Sequence, residues 1–230
     1  MKALVLHGFT GSLDTVSILR SPLEERGLEV SLPVLRGHGS TPRDLYSVQW
    51  RDWVADARMA LRQLAPNDEP VVIAGLSMGA LIGCHLAAEF PHQVQRLAML
   101  APALAFRSKL LYALPVIRQL RDEWPASPNF SDPGLAEHNT NYDSFPLEAL
   151  ESVLRYVPVV ESLAPHVKCP VGVFFASKDP AISPKVPQRL EALLKNTQVR
   201  HFTYSRSHHE ILQDVEAKQV ASDVVDFLLQ

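Results

Sequence analysis

The stretch Val71-Val72-Ile73-Ala74-Gly75-Leu76-Ser77-Met78-Gly79 decides how this chain is read. Four apolar residues run into a G-x-S-x-G turn, and a segment rich in small residues (Ala80, Gly83, Ala87, Ala88) follows as far as Phe90, before Pro91. The pattern predicts a buried strand, a sharp turn and a helix. Such a turn strains the serine backbone and lifts its hydroxyl clear, and it needs flanking glycines because side chains there would clash. The helix points its N-terminus at the serine, where unpaired N–H groups favour developing negative charge. Ser77 is the candidate nucleophile.

The chain around this turn alternates. Strand-like runs occur at Ala3–Leu6, Leu28–Leu32, Val71–Ala74, Leu97–Leu100, Val171–Ala176 and Val199–Tyr204. Several are apolar on both faces, as parallel strands covered on both sides must be. Between them, Trp50, Trp53, Val54, Ala57, Leu61 and Leu64 recur at helical spacing, and a last helical pattern spans Val215 to Leu229. Strand–helix alternation with short connections predicts an α/β fold around a mostly parallel sheet of about six strands.

The alternation fails over residues 103–165. These 63 residues hold seven prolines, one glycine and no convincing strand, and five basic residues stand against eight acidic ones. Phe106, Leu110, Leu111, Leu114, Ile117 and Leu120 fall on one helical face that Pro115 should kink. The expectation is a helical insertion, 103–165, that caps a core made of 1–102 and 166–230. Its apolar face, with Leu111 and Leu114 as candidate substrate contacts, would roof the end of the sheet where open α/β folds bind ligands.

Composition narrows the class. The chain has 230 residues, 47% hydrophobic and 20% charged, which excludes disorder and suits one domain with an insertion. A formal charge of −3 leaves no basic footprint for nucleic acid or an anionic membrane. The longest apolar run, Leu97 to Phe106, is half the ~20 residues a spanning helix needs, so no stable membrane insertion is expected. Only Ala3 to Leu6 precede His7, too few apolar residues for a signal peptide. Cys84 and Cys169 cannot make a disulfide framework and read as reduced core thiols. Together these predict a soluble, cytoplasmic globular protein. Only 10 residues are Gly, and six of them fall in the pairs Gly8/Gly11, Gly37/Gly39 and Gly75/Gly79, each directly after a strand-like run.

A serine nucleophile needs a base, a carboxylate that orients the base, and donors for an oxyanion. His7-Gly8-Phe9-Thr10-Gly11-Ser12 follows the first strand, which makes the Phe9 and Met78 amides candidate oxyanion donors. For His7 itself, a hydrogen bond that organises the loop is the better reading than proton transfer. The loop is no nucleotide site, since it lacks G-x-G-x-x-G and the chain has no Gly-Lys-Ser/Thr. Strand Val171–Ala176 runs into Ser177-Lys178-Asp179-Pro180, and strand Val199–Tyr204 runs into Ser205-Arg206-Ser207-His208-His209-Glu210. Asp179 is the candidate orienting carboxylate and His208 or His209 the base, in the chain order Ser, Asp, His. Glu210 adjoins the histidine too closely to orient it. The His-His pair lacks a third ligand at useful spacing, so neither a metal nor a cofactor is expected.

These residues resemble the α/β-hydrolase superfamily, and within it the small bacterial carboxylesterases and monoacylglycerol-lipase-like enzymes. The likeness covers nearly the whole chain: His7 to Ser12, Arg36-Gly37-His38-Gly39, Asp52-Trp53, Gly75 to Gly79, and the Asp179 and His209 loops. It implies Ser77 as nucleophile, Asp179 and a late histidine as its partners, Phe9 and Met78 as oxyanion donors, and the insertion as a cap. Similar enzymes often place Gly just before the catalytic histidine, where this chain has His208. Alignment on Ser207 favours His209 as the base. The implied activity is hydrolysis of short- to medium-chain acyl esters of small molecules through an acyl-enzyme. A thioesterase, an acyltransferase or a C–C bond hydrolase would use the same machinery, since one fold hosts many chemistries. A catalytically silent ligand-binding homologue would not react with a fluorophosphonate. Haloalkane dehalogenases and epoxide hydrolases carry aspartate where Ser77 stands.

Overall fold

The computed structural model describes residues 1–127 and 129–230, without the side chains of Tyr112 and His138. Its strands are β1 (Lys2–Leu6), β2 (Glu29–Ser31), β3 (Val71–Leu76), β4 (Val94–Leu100), β5 (Glu123–Pro125), β6 (Ser144–Pro146), β7 (Val171–Ala176) and β8 (Val199–Tyr204). The α-helices are α1 (Arg20–Glu25), α2 (Trp50–Leu64), α3 (Met78–Glu89), α4 (Leu114–Ile117), α5 (Leu147–Leu163), α6 (Val186–Leu193) and α7 (Ala217–Leu228).

Six strands form one all-parallel sheet in the order β2-β1-β3-β4-β7-β8. Every residue of β3 and β7 is buried. Their unbroken apolar runs fit this position, because helices cover both faces. Leu23, Val220, Val224 and Phe227 bring α1 and α7 onto one face. Trp53, Leu61, Leu81, Val153, Tyr156 and Leu190 bring α2, α3, α5 and α6 onto the other. The chain runs outward from β1 to β2 and then returns to the other side of β1 as β3. That reversal is a topological switch point, where such sheets form a crevice at the carboxyl ends of their strands.

All six expected strands are present, with ends moved by a few residues. The insertion departs from its expectation. It contains a two-stranded antiparallel ribbon in which Trp124 lies opposite Phe145. Each strand is three residues long and ends in proline, so neither shows a period. Proline is tolerated because a two-stranded ribbon has only edge strands. The stretch from Phe106 to Leu120 forms no continuous amphipathic helix. It is a 3₁₀ segment (Lys109–Ala113) followed by the single turn of α4, with Pro115 near its start. Leu114 is buried, whereas Leu110 and Leu120 are 59% and 84% exposed. The long helix of the segment is α5, which packs on the core: Trp50 N–H donates to Ser152 Oγ, and the Tyr156 ring stacks on Trp50.

Candidate active site

Ser77 sits at the tight turn between β3 and α3, with φ 54° and ψ −110°. A side chain at that φ is strained, and the surroundings enforce it. A Cβ on Gly75 would lie 2.2 Å from Gly79 O, and one on Gly79 would lie 2.4 Å from Leu6 O. Neither position admits a side chain, because backbone cannot move aside. Ser77 N–H donates to Leu100 O at 2.8 Å, which ties the turn to the end of β4.

Asp179 and His209 reach Ser77 from the ends of β7 and β8. His209 Nε2 lies 3.1 Å from Ser77 Oγ, and His209 Nδ1 lies 2.7 Å from Asp179 Oδ2. Asp179 is fully buried, and its other oxygen accepts N–H bonds from Ala181 (2.8 Å) and Ile182 (2.9 Å). Burial works against its charge, yet His209 and the two amides outweigh burial and hold the carboxyl below its ordinary value. His209 shows the mirror image. Burial disfavours the imidazolium, but the Asp179 carboxylate more than offsets this, and the histidine is pushed up to about 9. His208 does not take part in this chain of bonds; its backbone N–H donates to Asp214 Oδ2 at 2.7 Å.

The amides of Phe9 and Met78 donate to no acceptor among the described residues. Met78 opens α3, where helical N–H groups lack intrahelical partners. Phe9 sits in the loop after β1, whose Gly8 packs so closely on the turn that a Cβ there would lie 3.2 Å from Ser77 Cβ. His7 organises that loop, as expected. Its Nδ1 lies 2.9 Å from Gly8 O and its Nε2 accepts the Leu35 N–H, while burial pushes it down to about 4 and keeps it neutral. The Asp52-Trp53 pair secures the next loop. Asp52 pairs with the Arg36 guanidinium at 2.7 Å, and Trp53 Nε1 donates to Arg36 O.

Ser77 and His209 open into a cavity of about 460 Å³ roofed from the insertion by Phe106, Trp124, Phe145 and Leu150. Leu111 and Leu114 do not line it. They line an adjoining apolar cavity of about 160 Å³, which shares Ser108, Trp124, Phe145 and Leu150 with the first. Sequence reasoning missed the residues that tie the insertion down. Tyr142 N–H donates to Thr10 O and its hydroxyl donates to Gly37 O. Ser131 donates to Asp214 from both N–H and Oγ, and Asn141 Nδ2 donates to Glu210. No periodicity marks such residues. An acid directly after His208 and His209 was the available signal for Glu210.

Comparisons with known proteins find lipases and carboxylesterases among its relatives. Thermostable monoacylglycerol lipase of Bacillus sp. (strain H-257) is 23% identical over 228 residues, covering 97% of this chain and 88% of its own. Carboxylesterase of Bacillus subtilis (strain 168) is 24% identical over 226 residues, covering 98% and 91%. Among solved structures, one from work on the metagenome-derived lipolytic enzymes LipS and LipT superposes with a TM-score of 0.92 at 26% identity, covering 99% of this chain and 93% of that one. The family model described as serine aminopeptidase, S33 matches residues 2–216, and the chain therefore belongs to this Hydrolase_4 family of α/β-hydrolases.

Proposed function

We infer that this protein is a serine carboxylester hydrolase, with Ser77, His209 and Asp179 as its triad and the Phe9 and Met78 amides as its oxyanion hole. The observation that carries this reading is the hydrogen-bonded chain from Ser77 Oγ through His209 to Asp179. His209 Nε2 takes the Ser77 proton as Oγ attacks the ester carbonyl. The resulting oxyanion receives the two N–H groups, which act where charge develops rather than on the ground state. On collapse His209 returns the proton to the leaving alcohol, and the acyl group stays on Ser77. Water, deprotonated in turn by His209, releases the carboxylic acid and restores the serine. Asp179 fixes the imidazole tautomer and stabilises its charge without itself becoming protonated.

The roof of Phe106, Trp124, Phe145 and Leu150 supports acyl chains of short to medium length over charged or sugar-rich groups. The relatives' names, lipase and carboxylesterase, favour esters over the peptides that the family description suggests. Residues 103–165 serve as the cap in this reading, with α5 also belonging to the packed flank of the sheet. Two buried, unpaired cysteines support a reducing, cytoplasmic setting.

A fluorophosphonate probe tests the assignment. It should label the wild type at Ser77, as located by peptide mass, and leave Ser77→Ala unlabelled and unable to hydrolyse p-nitrophenyl butyrate. Label on another residue, or full turnover by the folded alanine variant, overturns it.

A further inference from the structure

β8 ends at Tyr204, so the amides that lead on to His209 lie beyond the ladder of the sheet. Two carboxylates serve them instead. Glu216 accepts from Arg206 N–H at 2.9 Å, and from Ser207 through its N–H at 2.8 Å and its Oγ at 2.9 Å. Asp214 accepts from His208 N–H at 2.7 Å. The two acids differ in reach. Among the described residues, the Glu216 side chain accepts from this loop alone. Asp214 also accepts from Val215 N–H at 2.8 Å and, across to the insertion, from Ser131 N–H at 2.9 Å and the Ser131 hydroxyl. Four hydrogen bonds from three segments fill the capacity of one ionised carboxylate.

Asp214 is 4% exposed, and a buried charge costs stability that packing alone does not require. Burial works against its ionisation, but the Ser131 hydroxyl and the amides of His208, Ser131 and Val215 outweigh burial and hold the carboxyl below its ordinary value. An apolar side chain would fill the same space and join nothing. What Asp214 joins is specific. One partner, His208 N–H, stands one residue before the proposed base, whose Nε2 must stay near its 3.1 Å separation from Ser77 Oγ. The other, Ser131, belongs to the insertion. Resting on the ester-hydrolase reading above, we propose that Asp214 is a positioning residue that locks the insertion to the His209 loop, so that seating the insertion and placing the base are one event. Neither Asp214 nor Ser131 lines the cavity over Ser77. The clamp therefore acts on the chemical step and not through contact with substrate.

The test measures kcat and KM for p-nitrophenyl butyrate and the rate of fluorophosphonate labelling, each per Ser77 labelled at completion, so that unfolded protein is not counted. Asp214→Ala should lower kcat and the labelling rate by about 10- to 100-fold, as a small misplacement of a catalytic group does, and leave KM within about threefold. Asp214→Asn, which keeps one acceptor oxygen, should fall between alanine and wild type. Ser131→Ala should lower kcat by about threefold, the effect of one hydrogen bond, and should cost nothing further when added to Asp214→Ala. Wild-type rates per labelled site in Asp214→Ala overturn the proposal, as does a loss that lies in KM alone. So does an additive loss in the double variant. If Asp214→Ala does not fold, Ser131→Ala at wild-type rates overturns it. A wild type that labels at Ser77 but cleaves no p-nitrophenyl ester defeats the ester-hydrolase reading instead, and the labelling rates of the variants then decide the clamp by themselves.

Discussion

At Gly75 and Gly79 one added methyl group would strike backbone at 2.2 and 2.4 Å, whereas the insertion meets the same end of the sheet through hydrogen bonds that can be lost one at a time. Tyr142 holds Thr10 and Gly37, Ser131 holds Asp214, Asn141 holds Glu210, and Arg107 N–H donates to Ala181 O beside Asp179. The first region is fixed by sterics and full burial, which permit one arrangement. In the second, α5 packs into the core, while the loops over the site are tied by pairwise polar contacts, each worth about 1 kcal/mol net. Chemistry that needs sub-ångström placement therefore belongs to the sheet end, and adjustable specificity belongs to the roof.

The comparison breaks most visibly if the proposed base proves replaceable. His209→Ala should lower kcat by about 10⁶, as loss of a histidine does where the triad acts as a unit. His208→Ala should stay within about threefold of wild type, because the backbone N–H of His208, not its ring, makes the bond to Asp214. Single-turnover acylation of p-nitrophenyl butyrate measures both. Comparable losses in the two variants would mean that the loop, not one ring, carries the function.

Asp179→Asn should cost about 10⁴ in kcat, and its pH profile sharpens the point. His209 must be neutral to accept the serine proton, so activity rises with pH through its pKa. Asp179 raises that pKa to about 9, which places the wild-type midpoint on the alkaline side of the ordinary ~6.5 for histidine. Without the carboxylate, burial is left as the main influence and disfavours the charged ring, so the midpoint should move down. A midpoint that stays fixed in Asp179→Asn would assign the titration to another group.

The sheet end was legible in the sequence for the same reason that it is rigid. Unbroken apolar runs such as Val171–Ala176 have few ways to fold, and glycines at Gly75 and Gly79 in a glycine-poor chain mark places where a side chain cannot fit. The choice of His209 needed alignment with similar enzymes, since two adjacent histidines leaving a strand look alike until the loop is built. The insertion was legible only as an interruption. Its ribbon is too short for a period of two, and Pro115 breaks the helical spacing that seemed to join Phe106 to Leu120. Its anchors, Tyr142, Ser131 and Asn141, act through a few hydrogen bonds each to distant loops, which no local pattern records.

The smallest expected effect concerns the roof. Leu111 lines the adjoining apolar cavity of about 160 Å³, which shares Trp124 and Phe145 with the cavity over Ser77. An acetyl group on Ser77 stays within the larger cavity and should not register a change at Leu111. A longer chain that passes between Trp124 and Phe145 gains roughly 0.8 kcal/mol for each buried CH₂, about fourfold in kcat/KM, until the space is full. Wild-type kcat/KM should thus climb from acetate, peak at a short or medium chain, and fall when the chain outgrows the roof. Leu111→Asn exchanges an apolar lining atom for a polar one without touching the triad. It should leave acetate hydrolysis within about twofold and lower hexanoate hydrolysis by about three- to tenfold, so the peak moves to shorter chains. Hydrolysis of a graded series of p-nitrophenyl esters from acetate to decanoate reads both arms, and the acetate rate itself reports that the variant is folded. A uniform loss across the series would show that Leu111 supports the roof's packing alone. A flat wild-type series would show that the two cavities do not act as one acyl channel.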